Sequence, residues 1–295
     1  MLKPVLDVAV PALVFLAMVV VGLGLTAEDF WRVARRPRVV ALATAGQAVL
    51  VPLAALGLVR CLALSPPVAT GVLLVAACPA GSMANLYAHL ARANVALAVS
   101  LTSVSCLAAV LTMPLALAAF RVPLGESAGL AVPVPAVVRQ LLLTLVLPVA
   151  AGMAIRRFRA AAVERHQGAL FGLSVAALAA LIVFVLAQEA ELVAGRLGEI
   201  ALAVAALTGL ALAAGWATGW AAGAGPADRF PVALVFAVCN VGIATVVAVT
   251  VLGRTEFAAF AAAYFLSQVP LLLAAVLLFR GGRAPRGVQI EADQP

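Results

Sequence analysis

Charge is what this 295-residue chain has least of: Asp, Glu, Lys and Arg make up 11% of it, against about 25% in soluble globular domains. A water-soluble protein of this size needs a charged surface, and its helices would show polar faces between apolar stripes, so that class is excluded. Histidine occurs twice and cysteine four times, at Cys61, Cys78, Cys106 and Cys239. These form no C-x-x-C pair and no spacing suited to zinc. The cysteines read as small apolar residues of membrane helices. No H-E-x-x-H, no G-x-S-x-G and no acidic pair lies within an apolar run, so the chain is not read as an enzyme. A ring of charge or a long polar domain, which would favour a channel or a sensor, is also missing. The net charge of +7 does not point to nucleic acid, because the basic residues sit in short loops between apolar runs.

What the chain does have is apolar length. Apolar residues are 65% of it, and runs of roughly 20 suffice to cross about 30 Å of hydrocarbon. Nine such runs stand at about 5–25, 38–59, 66–91, 94–120, 133–155, 168–188, 198–222, 231–252 and 256–279. The fold class is therefore an all-α polytopic membrane protein. Lys3 before the first run resembles the start of a signal peptide, but the equally long runs that follow favour a retained helix. Assigning the loops alternately to two sides places 13 of the 19 Lys and Arg residues on one, while the acidic residues divide six and six. The positive-inside rule then puts the N-terminus outside and the C-terminus in the cytoplasm of a cell membrane protein. The segment 281–295 is polar and Arg-rich, and is expected to be a disordered tail.

Two runs are interrupted. Cys78-Pro79-Ala80-Gly81-Ser82-Met83-Ala84-Asn85 puts a proline, a glycine and an amide in mid-run, and Cys239-Asn240-Val241-Gly242 does so less forcefully in the other half. Proline removes a backbone donor and glycine resists helical order. Backbone freed at that depth is tolerated only where it is buried in protein or lines a cavity. Paired interruptions of this kind mark a transporter's binding site. No Asp, Glu, Lys or Arg stands in the centre of a run, which removes the usual marker of a proton relay or ion-binding carboxylate. Buried polar candidates are Gln47, Asn85, Ser100, Thr102, Ser103, Ser105, Asn240, Thr245, Ser267 and Gln268. For the hydroxyls a bond to the carbonyl one turn back is the plainer reading. The four amides carry donors and acceptors that are costly to bury unmatched, so a cavity or a broken helix is the plainer reading for them. Pro52, Pro114, Pro148 and Pro270 read as kinks, His89 and Trp31 as interface residues, and Trp216 and Trp220 as packing on one helical face.

Read together, Gly22-Leu23-Gly24-Leu25-Thr26 with Asp29-Phe30 and Arg36-Pro37, Gln47 before Pro52, Cys78 to Gly81 with Asn85, the run Leu90 to Leu97, and Cys239 to Ala244 resemble the bile acid:sodium symporter family. The resemblance implies two inverted repeats, a panel and a core domain, and two broken helices crossing near the substrate. On this resemblance the family's ten helices are expected to become nine here, with the chain starting at the second. Residues 1–125 would form the first repeat with four helices and 126–280 the second with five. The core would hold the runs at 38–59, 66–91, 94–120, 198–222, 231–252 and 256–279, and the panel the other three.

The implied function is secondary transport of an organic anion by alternating access, with a channel or sensor of the same fold as the alternative. Substrate contacts are expected at Gly81, Ser82, Met83, Asn85, Cys239, Asn240 and Gln268. Of the family's sodium ligands, Gln47, Asn85 and Thr102 match, while Ala84, Ala98, Val235 and Cys239 replace two serines, the shared glutamate and a glutamine. Hard cations prefer several oxygens including a carboxylate, so sodium coupling is expected to be weakened or lost. No other cofactor is expected, the partners are the organic anion and the bilayer, and the oligomeric state stays open.

Overall fold

A computed structural model describes residues 2–124 and 133–282. Among the described residues the chain is almost entirely helical, with short connections and one isolated β-bridge. The helices are α1 (Leu2–Leu23), α2 (Ala27–Arg35), α3 (Pro37–Cys61), α4 (Pro66–Ala77), α5 (Met83–Leu90), α6 (Val95–Leu124), α7 (Val134–Leu141), α8 (Leu147–Gln188), α9 (Ala190–Gly195), α10 (Leu197–Ala221), α11 (Pro226–Ala237), α12 (Val241–Val246) and α13 (Thr255–Gly281). Six helical stretches are long and apolar enough to cross a membrane: Pro37–Cys61, Val95–Phe120, Val134–His166, Gly168–Gln188, Leu197–Ala221 and Thr255–Gly281. Val8–Leu23, Pro66–Ala77 and Val241–Val251 are shorter apolar helices. The segment 125–132, where the two repeats were expected to meet, and the tail from 283 onward lie outside the described residues.

The expected run at 66–91 divides into α4 and α5, and that at 231–252 into α11 and α12. Elsewhere continuity exceeds expectation. The runs 133–155 and 168–188 follow one another within α8, where two helices meet at a kink in the charged stretch between them with no intervening loop. That stretch holds Arg and Ala, which favour helix. A bend is taken up at Arg159, whose φ of −134° and ψ of 37° are non-helical. Just before Pro148 the helix widens into a π-turn, Leu142–Val146. A proline ring clashes with the carbonyl four residues earlier, here that of Thr144, and a π-turn is one way to relieve it. Helix α2 arises where no apolar run exists. Asp29 Oδ2 accepts from the Thr26 amide and hydroxyl, each at 2.8 Å, which caps its first turn. Trp31 on it is exposed. Trp216 and Trp220 are also exposed on α10, Trp216 meeting Phe279 edge-on at 6.4 Å.

Helix α1 packs along α8, while α3, α4, α10, α11 and α13 pack on one another. The α1–α8 seam is a backbone contact. A Cβ on Gly22 would stand 2.2 Å from Val149 O, and one on Gly152 would stand 2.2 Å from Val19 O. Small residues at such seams let helices approach in the absence of a hydrophobic drive between them. Polar ties hold both ends of α3 to the second half of the chain. Beside its start, Asp228 on α11 takes an ion pair from Arg36 and a bond of 2.8 Å from Asn94 Nδ2. Beyond its other end, Ser65 donates from its hydroxyl to Glu199 on α10 at 3.0 Å.

Candidate functional site

The two interruptions meet. Cys78, the residue before Pro79, takes an extended conformation with φ −72° and ψ 153°, as residues before proline do. Val238 and Asn240 are extended in the second break. The strands so formed pair antiparallel at Ala80 and Cys239. Gly81 N donates to Val238 O at 2.7 Å, and Asn240 N donates to Pro79 O at 2.8 Å. Each break thus satisfies polar backbone that the other has freed, as burial demands. A Cβ on Gly81 would lie 2.8 Å from Cys239 O, so the strands close only over glycine.

Side chains from neighbouring helices complete the crossing. Ser105 Oγ on α6 accepts from Ala80 N at 2.9 Å and donates to Gln47 Oε1 on α3 at 2.7 Å. Tyr264 on α13 donates its hydroxyl to Ala237 O at 2.5 Å. Asn240 caps α12 by accepting from Ile243 N at 3.2 Å, and its Nδ2 lies 3.6 Å from Met18 Sδ on α1. On α5, Asn85 Oδ1 lies 3.3 Å from the Thr102 hydroxyl, which is also 2.8 Å from Ala98 O.

Two cavities open against the crossing and share Val21, Ser82 and Ser174 on their walls. The smaller, about 50 Å³, has Gly81, Ser82, Met83, Cys239 and Asn240 on one side and Met18 on the other. The larger, about 350 Å³, has a polar margin of Ser82, Asn85, Thr102 and Ser103 facing an apolar wall that includes Leu25, Val149 and Met153. Among the described residues, no charged side chain lines either one. Ser82 stands at the N-cap of α5 yet makes no side-chain capping bond, and it is exposed, so its hydroxyl is presented to both cavities. The arrangement suits a molecule with an apolar body and a compact polar head. Hydroxyls, an amide and the positive end of a half-helix dipole would receive the head.

Of the seven expected substrate contacts, five line the smaller cavity, and Asn85 and Ser82 line the larger. Gln268 stands apart, 1% exposed on α13 with its Oε1 unpartnered, and it lines neither cavity. Thr102 faces the larger cavity, whereas Gln47 lies behind the first break beside a hollow of about 10 Å³ with Thr44 and Ser105. Ala84, Ala98 and Val235 are buried, and Cys239 lines the smaller cavity. Ser174, Met18 and Tyr264 were not foreseen. Tyr264 left a signal, since only two tyrosines occur and a buried phenol needs a partner for its hydroxyl. Ser174 left one as well, a hydroxyl within the run 168–188, while Met18, an ordinary residue of an apolar run, left none.

A multi-pass helical bundle with two broken helices crossing beside an uncharged cavity defines a membrane transporter by class. The chain belongs to the sodium bile acid symporter family, whose model matches residues 11–196. It is 32% identical over 180 residues to a Bacillus subtilis protein named "Uncharacterized sodium-dependent transporter YocS", which covers 60% of this chain and 54% of that one. A "Sodium-dependent organic anion transporter" of Mus musculus is 29% identical over 217 residues, 73% of this chain and 51% of its own. A "Probable sodium/metabolite cotransporter BASS2, chloroplastic" of Oryza sativa is 38% identical over 118 residues, 39% of this chain and 28% of that one. The chain spans about half the length of the first of these relatives.

Proposed function

We propose that the protein is a secondary transporter that carries an organic anion across the plasma membrane by alternating access, with sodium coupling weakened or lost. The observation that carries this reading is the pair of adjoining cavities beside the crossing: the smaller is lined by both breaks, and the larger, about 350 Å³, has Ser82 and Asn85 of the first break at its polar margin. On this reading nine spans cross the membrane with the N-terminus outside and the C-terminus in the cytoplasm. Helices α1, α7 and α8 form the panel, and α3 to α6 with α10 to α13 form the core. Two inverted repeats are supported by the matching ties at the ends of α3, Asp228 to Arg36 and Ser65 to Glu199. Alternating access would tilt the core against the panel and expose Ser82, Asn85 and Asn240 to each side in turn.

Weak sodium coupling is supported by the residues themselves. Val235 stands where the family's shared glutamate would, 1% exposed among apolar neighbours. Asn85 and Thr102 retain a contact of 3.3 Å but have Ala84 and Ala98 where hydroxyls would complete an oxygen shell. Hard monovalent and divalent ions need such shells. The relatives' names speak of sodium dependence, and the experiment separates the two. Purified protein in proteoliposomes is offered labelled organic anions, from small carboxylates to steroid sulfates, in sodium or choline buffer. The reading expects uptake of equal rate in both, accelerated by internal unlabelled substrate. A steep sodium dependence with a Hill coefficient near two would remove the weakened coupling. Uptake without counterflow acceleration would favour the channel reading.

A further inference from the structure

We propose that Ser105, with Gln47 behind it, and Tyr264 are positioning residues, each holding one helix break in the register that forms the crossing without touching the substrate. The functional part of this proposal rests on the transport reading above. Ser105 and Tyr264 line neither cavity. Each stands about three turns into its helix, Ser105 on α6 and Tyr264 on α13, and each reaches a backbone group of a different break. Ser105 accepts the Ala80 amide, while Tyr264 donates to the carbonyl of Ala237, the last residue of α11. Because Ala80 and Cys239 are bridge partners, one hydroxyl supports each strand of the pair.

The hydrogen-bond directions assign Gln47 as well. A serine hydroxyl has one hydrogen. Ser105 Oγ accepts from the Ala80 amide and gives its hydrogen to Gln47 Oε1 at 2.7 Å, so the amide oxygen of Gln47 is turned towards Ser105. Its nitrogen then faces the small hollow, where Nε2 has no protein partner. A cation approaching from that hollow would meet the amide's N–H donors, with the oxygen turned away towards Ser105. Gln47 is thus the outer support of the first break rather than a sodium ligand.

The full chain in proteoliposomes tests this by hydrogen exchange and uptake kinetics on the same samples. Loss of one hydrogen bond is worth a factor of about ten. Ser105→Ala is expected to speed exchange of the amides at 80–85 about tenfold and to raise KM about tenfold, with a smaller change in kcat. Ser105→Thr, which keeps the hydroxyl, restores both. Tyr264→Phe has the same effect on the amides at 238–243. Gln47→Met produces a milder form of the Ser105→Ala effect and leaves any sodium response unchanged. Exchange and KM within twofold of the parent for Ser105→Ala and Tyr264→Phe would overturn the proposal, as would Ser105→Thr behaving like Ser105→Ala. A sodium response abolished by Gln47→Met with exchange unaltered would overturn the role given to Gln47. Should Ser105→Ala not fold, Ser105→Cys, a weaker hydrogen-bonding group, takes its place under the same criteria. If the parent carries no anion, the transport reading fails, while the exchange results still decide whether the hydroxyls hold the breaks.

Discussion

Replacing Gly152 with alanine places a methyl carbon 2.2 Å from Val19 O and 2.7 Å from Leu23 N on α1. Ordinary contacts begin near 3.5 Å, so α1 and α8 would have to part by about 1 Å. Backbone atoms line both sides, and no side-chain rotation relieves the clash. Overpacking of this kind costs about 1–3 kcal/mol, and a rigid backbone clash belongs at the upper end. Alanine returns up to about 1 kcal/mol of helix propensity. The net expectation is about 2 kcal/mol, or roughly 3 °C in Tm for a chain of this size. Gly22→Ala, whose methyl would lie 2.2 Å from Val149 O, should lose a similar amount. Because the same seam carries Val149 and Met153 on the larger cavity's wall, both variants should also bind substrate less well. Gly209→Ala in α10 is the control, since nothing stands within 4 Å of its added carbon, and it should be neutral or slightly stabilising. Thermal unfolding in detergent, followed by tryptophan fluorescence, reads all three. Equal Tm values for Gly152→Ala and Gly209→Ala would refute the claim that a backbone seam joins α1 to α8.

Three further outcomes follow from the site. Asn85→Leu removes the amide that borders the larger cavity and its contact with Thr102, so KM should rise about tenfold, the worth of a hydrogen bond to a charged head group; a parental KM in uptake assays would place the anion elsewhere. Asn240→Ala removes the cap of α12 and the contact with Met18, and should cost about 1 kcal/mol, read as a lower Tm with a matching loss of uptake. Val235→Glu alone should destabilise by several kcal/mol, because it buries a carboxylate without partners. Combined with Ala84→Ser, Ala98→Ser and Cys239→Gln it should instead yield a protein whose Tm rises with sodium but not with choline. A sodium-dependent Tm already present in the parent would contradict the weakened site.

Legibility in the sequence divides along a physical line. Hydropathy and the positions of Pro79 and Gly81 are local properties, so the membrane class, the broken helices and the Cys78–Asn85 stretch were readable from the chain. The absence of a carboxylate at position 235 was equally plain once the residues were aligned on a family pattern. The join within α8 was not, since the charged stretch has the composition of a loop, whereas the two helices meet there at a kink at Arg159 with no loop between them. Nor could the sequence separate Asn85, which faces the cavity, from Gln268, which is buried away from it. Both are amides in apolar runs, and a run without an apolar stripe does not say which face meets lipid, protein or cavity.

By itself, then, the sequence determined that the chain lies in a membrane and where its helices break, because those follow from residue type and spacing. The tertiary structure decided that the two breaks pair with each other, that Ser105 and Tyr264 hold them, and that Ser82 and Asn85 open onto a common cavity. Those are contacts between residues far apart in the chain, from Ala80 to Cys239 and from Ala237 to Tyr264. Each exists only because backbone groups freed within an apolar bundle must find partners there, and which partners they find is set by packing.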